Sequence, residues 1–149
     1  MKTYKGNTPE LCIGRKKSDA PKVKLTSAAQ GYEFFKQIWD EDTLCYSESF
    51  MCIFLNRNMT TIGWMKVSSG GIDSCIVDVR MILGAALKCG ASAIMMAHNH
   101  PSGNLTPSTA DDKITNKCKL ASDIMDIALV DHMIVTDEGF YSYANEGKL

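Results

Sequence analysis

The apolar residues of this chain alternate between helix spacing and strand spacing, and this alternation limits what the chain can fold into. After Ser27, which is placed to cap a helix, Ala28, Tyr32, Phe35 and Trp39 recur every three or four residues. This spacing is typical of one face of an amphipathic helix. Two more helices are predicted at 76–89 and 108–125, and five strands at 50–55, 61–67, 92–97, 127–135 and 140–143. Such alternation in a small domain predicts an α/β fold of two or three layers.

Turn residues and apolar runs refine this prediction. Asn56 and Asn58 favour a turn between the first two strands, which therefore form a predicted hairpin. Residues 76–89 are apolar on nearly all sides, and this predicts a largely buried helix ending at Gly90. The short apolar run at 92–97 suits a central strand that is covered on both faces.

Length and charge predict one globular domain preceded by a basic arm. The 149 residues are 45% hydrophobic and 22% charged, close to the average for a globular protein. Residues 1–24 hold seven basic and two acidic side chains and no apolar periodicity, so we expect an irregular arm. Residues 25–149, the predicted domain, hold nine basic and fifteen acidic side chains. For the basic run at 15–17 we favour a solvated or partner-bound arm over nucleic-acid contact.

Cysteine usage and hydropathy predict a cytoplasmic protein. The six cysteines form no C-x-x-C pair, and the first residues lack the apolar stretch of a signal peptide. We therefore expect reduced thiols that mostly fill the core. No apolar run reaches the roughly 18 to 20 residues that span a bilayer, so we expect no membrane association.

Two of the three histidines, His98 and His100, follow the predicted strand at 92–97. Residues i and i+2 of an extended segment point to the same side, so both imidazoles can converge at a strand end, where α/β proteins place their sites. A reversal at 101–107 can return Asp111 to the histidines. Two imidazoles and one carboxylate are a sufficient ligand set for catalytic zinc. Ser108 and Asp111 also have the spacing of a helix capping box, which explains them about as well, and Asp112 is a competing ligand.

The pattern H-x-H-x7-S-x2-D in this segment resembles the JAMM motif of the JAB/MPN metalloproteases. The fuller string AHNHPSGNLTPS at 97–108 resembles the RadC branch of that superfamily. The similarity extends back to about residue 27 and forward through 130–135 and 141–143 to the C-terminus. It implies the MPN/JAB architecture, which is cytidine-deaminase-like and has a central mixed β-sheet flanked by helices. It also implies that His98, His100 and Asp111 bind Zn²⁺, while Ser108 donates a hydrogen bond to the oxyanion or the bound water.

The resemblance also implies a catalytic glutamate, and Glu48 occupies its place ahead of the strand at 50–55. A carboxylate within hydrogen-bond reach of an activated water can accept its proton, so Glu48 is the predicted general base. The alternative is an ordinary exposed acid at a strand end, and Glu41 is the weaker candidate for the base. The family gives His132 no ligand role, and we expect it to be structural or to support a ligand.

These features favour a zinc-dependent hydrolase of peptide or isopeptide bonds, with a peptide or protein as substrate. The sequence contains no H-E-x-x-H, G-x-S-x-G or Walker A motif that would indicate another chemistry. The main alternative is a DNA-repair accessory protein with a structural or vestigial zinc site. An isoelectric point of 6.3 counts against DNA binding, which relies on clustered Lys and Arg.

A third alternative is an inactive scaffold, and the presence of all five site residues counts against it. One departure from the family concerns residues 79–81, which read Val-Arg-Met where many RadC relatives carry Pro-Arg-acid. The sequence does not predict what replaces that acid, the identity of the substrate or the oligomeric state.

Overall fold

The computed structural model of this chain describes residues 17–149, so most of the predicted basic arm lies outside the described residues. Residues 17–149 form four helices and five strands. In chain order these are α1 (Ala28–Ile38), α2 (Glu41–Leu44), β1 (Ser49–Leu55), β2 (Thr61–Ser69), α3 (Val79–Cys89), β3 (Ala93–Asn99), α4 (Thr109–Ile124), β4 (Ala128–Val135) and β5 (Phe140–Ser142).

The five strands form one mixed sheet in the order β2-β1-β3-β4-β5. Strand β1 pairs antiparallel with both β2 and β3, and β5 pairs antiparallel with β4. Strands β3 and β4 are parallel, and α4 makes the crossover between them. The predicted hairpin and the predicted mixed α/β fold are therefore confirmed.

Helices cover both faces of the sheet, which makes the domain three-layered. Helix α1 contributes Phe35 and its C-cap residue Trp39 to one apolar cluster, together with Met51, Ile53 and Leu55 of β1. Helices α3 and α4 contribute to the second cluster, together with the even-numbered residues of β1 such as Phe50. All seven residues of β1 and of β3 are buried, as expected for central strands covered on both sides.

Side-chain caps fix where the helices begin. The Ser27 hydroxyl accepts a hydrogen bond from the backbone N–H of Gln30 at 3.2 Å, so the predicted N-cap of α1 is confirmed. The predicted start of α3 at residue 76 is wrong. Asp78 accepts from the backbone N–H of Arg80 at 2.9 Å and starts the helix at Val79, which leaves Ile76 91% exposed in the preceding loop. The prediction that this helix is largely buried is wrong too, because only Val79, Ile82 and Ala86 are buried and Met81 is exposed.

Two further boundaries differ from the sequence prediction. The sequence predicts that β3 ends at Ala97, but its pairing with β1 continues to His98 and its pairing with β4 continues to Asn99. The short helix α2 is absent from the predicted elements, and it begins where the carboxylate of Asp40 accepts from the backbone N–H of Asp42 at 3.1 Å. The first histidine of the pair therefore lies inside a buried strand.

Between residues 17 and 149 the cysteines form no disulfide bond with one another. Cys52 and Cys118 are buried in the second cluster, whereas Cys45 is exposed. No helix in the part of the chain that the structure describes is both long enough and apolar enough to cross a membrane.

Two glycines of α3 provide a matched test of this helix. Gly90 caps its C-terminus at φ +70°, so Gly90→Ala forces a Cβ into the left-handed region and should destabilise the protein by about 1–2 kcal/mol. Gly84 is exposed within the helix with open space around its Cα, so Gly84→Ala should stabilise the protein by about 0.5–1 kcal/mol. The free energy of unfolding from urea titrations measures both changes. Equal effects of the two substitutions would show that backbone conformation does not control this helix end.

Candidate metal centre

The pairing of β1 with β3 brings the predicted site residues to one edge of the sheet. Phe50 lies opposite His98 in the antiparallel register, and both face α3 and α4. Glu48 directly precedes β1 and lines a cavity together with His98 and Asp111. Glu48 therefore reaches the histidines because of strand pairing, although it lies fifty residues away in the chain.

Asn99 holds the segment that carries Glu48. Its buried side-chain amide donates to the backbone oxygens of Leu44 and Ser47, at 2.7 and 2.9 Å. Its Oδ1 accepts from the backbone N–H of Ser49 at 2.7 Å. These three hydrogen bonds satisfy the amide and fix the backbone on both sides of Glu48.

The loop after β3 returns the start of α4 to the histidines. Gly103 adopts φ +80°, and its N–H donates to the carbonyl of His100 at 3.0 Å, which closes a tight turn. The Nδ1 atom of His100 then lies 2.6 Å from the backbone oxygen of Asn104. Since a carbonyl only accepts, we assign the proton of a neutral His100 to Nδ1, and its Nε2 lone pair faces the site.

Asp111 lies beside both histidines and also caps α4. Its Oδ1 is 3.1 Å from Nε2 of His98, and its Oδ2 is 3.4 Å from Nε2 of His100. Oδ2 also accepts from the backbone N–H of Ser108 at 2.7 Å, and the Ser108 hydroxyl accepts from the backbone N–H of Asp111 at 3.1 Å. The capping box and the place beside the histidines are therefore compatible, because one carboxylate serves both.

His98, His100 and Asp111 each offer one ligand atom, and these three atoms lie within 4.8 Å of one another. The two Nε2 atoms are 3.0 Å apart. Two nitrogens and one carboxylate oxygen that converge from one side are a donor set that zinc accepts, with a remaining position for water. The residues therefore fit a divalent metal. Asp112 does not join them, because its carboxylate accepts from the hydroxyl of Tyr143 at 2.7 Å.

The pKa values reflect this crowding. Burial raises the pKa of Asp111, but hydrogen bonds that His100 and His98 donate when their Nε2 atoms are protonated outweigh burial and hold this pKa well below its usual range. The hydrogen bond with Asp111 raises the pKa of His100 despite partial burial. A metal that binds here therefore competes with a proton held by the same cluster.

His132 is buried behind the cluster and does not belong to it. Its Nε2 lies 2.9 Å from Nδ1 of His98, and its Nδ1 lies 2.6 Å from the hydroxyl of Thr115. Burial lowers the pKa of His132 well below its ordinary value, so the ring is neutral. Both ring nitrogens are occupied, which places His132 in contact with a candidate ligand rather than among the ligands.

Glu48 and Cys75 line a cavity with His98 and Asp111. Glu48 is half-buried, and its Oε1 accepts from the thiol of Cys75 at 3.5 Å. Burial raises the pKa of Cys75 to about 12, so at neutral pH it is a thiol and not a nucleophilic thiolate. Glu48 is not part of the ligand cluster, and the structure brings it to the cavity wall beside that cluster.

A wider groove adjoins this cavity and shares Glu48, Cys75 and Asp111 with it. Ser108 and His100 also line this groove. The Ser108 hydroxyl uses its oxygen as an acceptor in the cap, so its proton is available to donate into the groove. Glu41, the weaker candidate for the base, lies exposed in α2 and is not among the residues that line either cavity.

Sequence reasoning missed three residues of this region. Thr115 lies four residues after Asp111 and therefore on the same face of α4, which is a detectable signal. Asn99 also has a sequence signal. It follows an apolar run, and an amide buried at the end of such a strand requires hydrogen-bond partners. Cys75 had no sequence signal, since its place depends on the path of the loop between β2 and α3.

Comparison with known proteins agrees with this architecture. The family model "RadC-like JAB domain" matches residues 25–148. A UPF0758 protein of Flavobacterium johnsoniae is 40% identical over 124 residues, which cover 83% of this chain and 53% of the relative. A UPF0758 protein of Thermotoga maritima is 32% identical over 126 residues, which cover 85% of this chain and 55% of the relative. The chain thus spans about half the length of these curated relatives, and it belongs to the RadC-like JAB domain family.

Proposed function

We propose that this protein is a zinc-dependent hydrolase that cleaves a peptide or isopeptide bond. One observation carries the proposal. His98, His100 and Asp111 converge within 4.8 Å, and Glu48 lines the same cavity without joining the cluster. Three ligands and a separate carboxylate are the division of roles that metal-assisted hydrolysis requires.

The chain's own residues supply the remaining parts of the mechanism. A zinc ion held by His98, His100 and Asp111 would act as a Lewis acid and lower the pKa of a coordinated water towards about 7. Glu48 accepts the proton of the attacking water and passes it to the leaving amine. Ser108 donates a hydrogen bond from its hydroxyl to the oxygen on which negative charge develops.

The charges of the groove favour a peptide over a nucleic acid. In the described part of the chain, the residues that line the groove include Glu48, Asp73 and Asp111 and no Lys or Arg. Phosphate groups bind where Lys and Arg cluster, so this groove repels a DNA backbone. Tyr46 and Ile72 are exposed on the groove and offer apolar contacts to a peptide or protein substrate. The role of a DNA-repair accessory has no such support.

We also propose a cytoplasmic location for this protein. Thiols that form no disulfide among the described residues favour a reducing compartment, and we place the protein in the cytoplasm. Because the chain spans about half the length of its curated relatives, the activity and partners of those longer proteins are not carried over.

Substitution of two adjacent aspartates tests the metal site. The wild-type protein should bind about one zinc per chain. Asp111→Asn should weaken zinc affinity by more than about 100-fold, because it removes a charged ligand rather than a group that supports one. Asp112→Asn is the matched control, since Asp112 bonds to Tyr143 and should leave affinity unchanged. Competition with a chromophoric chelator measures all three proteins, and equal affinities for the two variants would contradict the assignment.

Substitution of two glutamates tests the base. With zinc added, the wild-type protein should cleave members of a library of fluorescence-quenched peptides and lysine-linked isopeptides. Glu48→Gln should keep its zinc and lose about 10²–10⁴-fold in rate, since an amide does not accept the proton. Glu41→Gln is the control and should cleave at the wild-type rate. Undiminished cleavage by Glu48→Gln refutes the assigned base, and the absence of cleavage by zinc-loaded wild type refutes the hydrolase.

A further inference from the structure

His132 and Thr115 form a buried pair that the proposed mechanism does not use. His132 is 0% exposed and Thr115 is 1% exposed. The His132 ring stacks on Tyr143 with centroids 5.1 Å apart and planes at 6°, and it packs against Phe50 with centroids 5.3 Å apart. The two aromatic neighbours fix the plane of the ring, so its nitrogens have defined partners.

The donor and the acceptor of each hydrogen bond made by Thr115 and His132 can be assigned. The Thr115 hydroxyl donates to the backbone oxygen of Asp111 at 2.6 Å, the common bond of a helical threonine to the carbonyl four residues earlier. Its single proton is then committed, so it accepts from Nδ1 of His132 at 2.6 Å. A neutral imidazole protonated on Nδ1 has an acceptor at Nε2, and this atom lies 2.9 Å from Nδ1 of His98.

We propose that Thr115 and His132 are positioning residues that fix His98 in the tautomer protonated on Nδ1, which keeps its Nε2 lone pair directed at the metal site. This inference rests on the metal site of the proposed function. We call the three hydrogen bonds from the Asp111 carbonyl through Thr115 and His132 to His98 the relay. It connects two of the three candidate ligands through the protein interior. His132 acts through His98 and contacts no substrate.

The relay matters because another partner competes for the same proton. Oδ1 of Asp111 lies 3.1 Å from Nε2 of His98, and a proton on Nε2 would donate to that carboxylate. This tautomer blocks metal binding, since the lone pair then lies on the opposite side of the ring. An acceptor at 2.9 Å from Nδ1 favours the productive tautomer, and Thr115 makes that acceptor available by fixing the proton of His132 on Nδ1.

A pair of substitutions at Thr115 tests the relay without changing any histidine. Thr115→Val has nearly the same shape but no hydroxyl, so either tautomer of His132 becomes accessible. We expect zinc affinity to fall by about 10- to 100-fold, the usual cost of losing a residue that orients a ligand. Thr115→Ser retains the hydroxyl and should restore wild-type affinity. A folded Thr115→Val that binds zinc as tightly as wild type overturns the proposal.

Long-range ¹H–¹⁵N spectra of the histidine rings give a second readout that needs no metal. In the metal-free wild-type protein at alkaline pH, His98 and His132 should both carry their proton on Nδ1. A wild-type His98 protonated on Nε2 refutes the relay, even if Thr115→Val fails to fold. Failure of wild type to bind zinc would instead refute the proposed metal site, whereas the spectra would still decide the tautomer.

Discussion

Two imidazole nitrogens and a carboxylate oxygen meet where β3 ends, and when both rings are neutral and protonated on Nδ1 none of these three atoms carries a proton. The Nε2 atoms of His98 and His100 are 3.0 Å apart, and Oδ1 of Asp111 is 3.1 Å from the first of them. With the Nδ1 protons engaged elsewhere, lone pairs and a negative charge face one another. A proton or a metal cation between them relieves the repulsion. The surrounding fold holds the three groups in this arrangement.

The sheet supplies most of that restraint, because it joins segments far apart in the chain. Strand β3 lies between β1, which precedes it by about forty residues, and β4, which follows a helical crossover. One neighbour brings Glu48 to the open side of the cluster, and the other brings His132 to its buried side. Asn99 secures the first of these contacts through three hydrogen bonds to the segment around Glu48. In the proposed mechanism the open side of the cluster faces the substrate, and the buried side fixes the geometry of the ligands.

Local sequence patterns were sufficient to predict the features that depend only on residues adjacent in the chain, such as helix caps and hairpin turns. The cap at Ser27, the hairpin and the left-handed end at Gly90 follow from residue type and spacing. The start of α3 was wrong because apolar composition does not show which apolar side chains face solvent, and Ile76 does. The motif predicted that His98, His100 and Asp111 could converge, but the place of Glu48 depended on strand register. The path of the loop that carries Cys75 depends on tertiary contacts that no local pattern contains.

The two histidines and the aspartate of the motif do not specify a metal site by themselves. Thr115 and His132, the residues behind His98, explain why. A chain with the same histidines and aspartate but apolar residues at 115 and 132 would leave Nδ1 of His98 facing a buried apolar wall. The proton would then move to Nε2, where Asp111 is the nearest acceptor, because a buried donor without a partner costs about 1–3 kcal/mol. The ligands would be present and correctly spaced, yet one lone pair would be lost. The proposed metal site therefore depends on α4 and β4, which carry Thr115 and His132, as much as on the histidine motif itself.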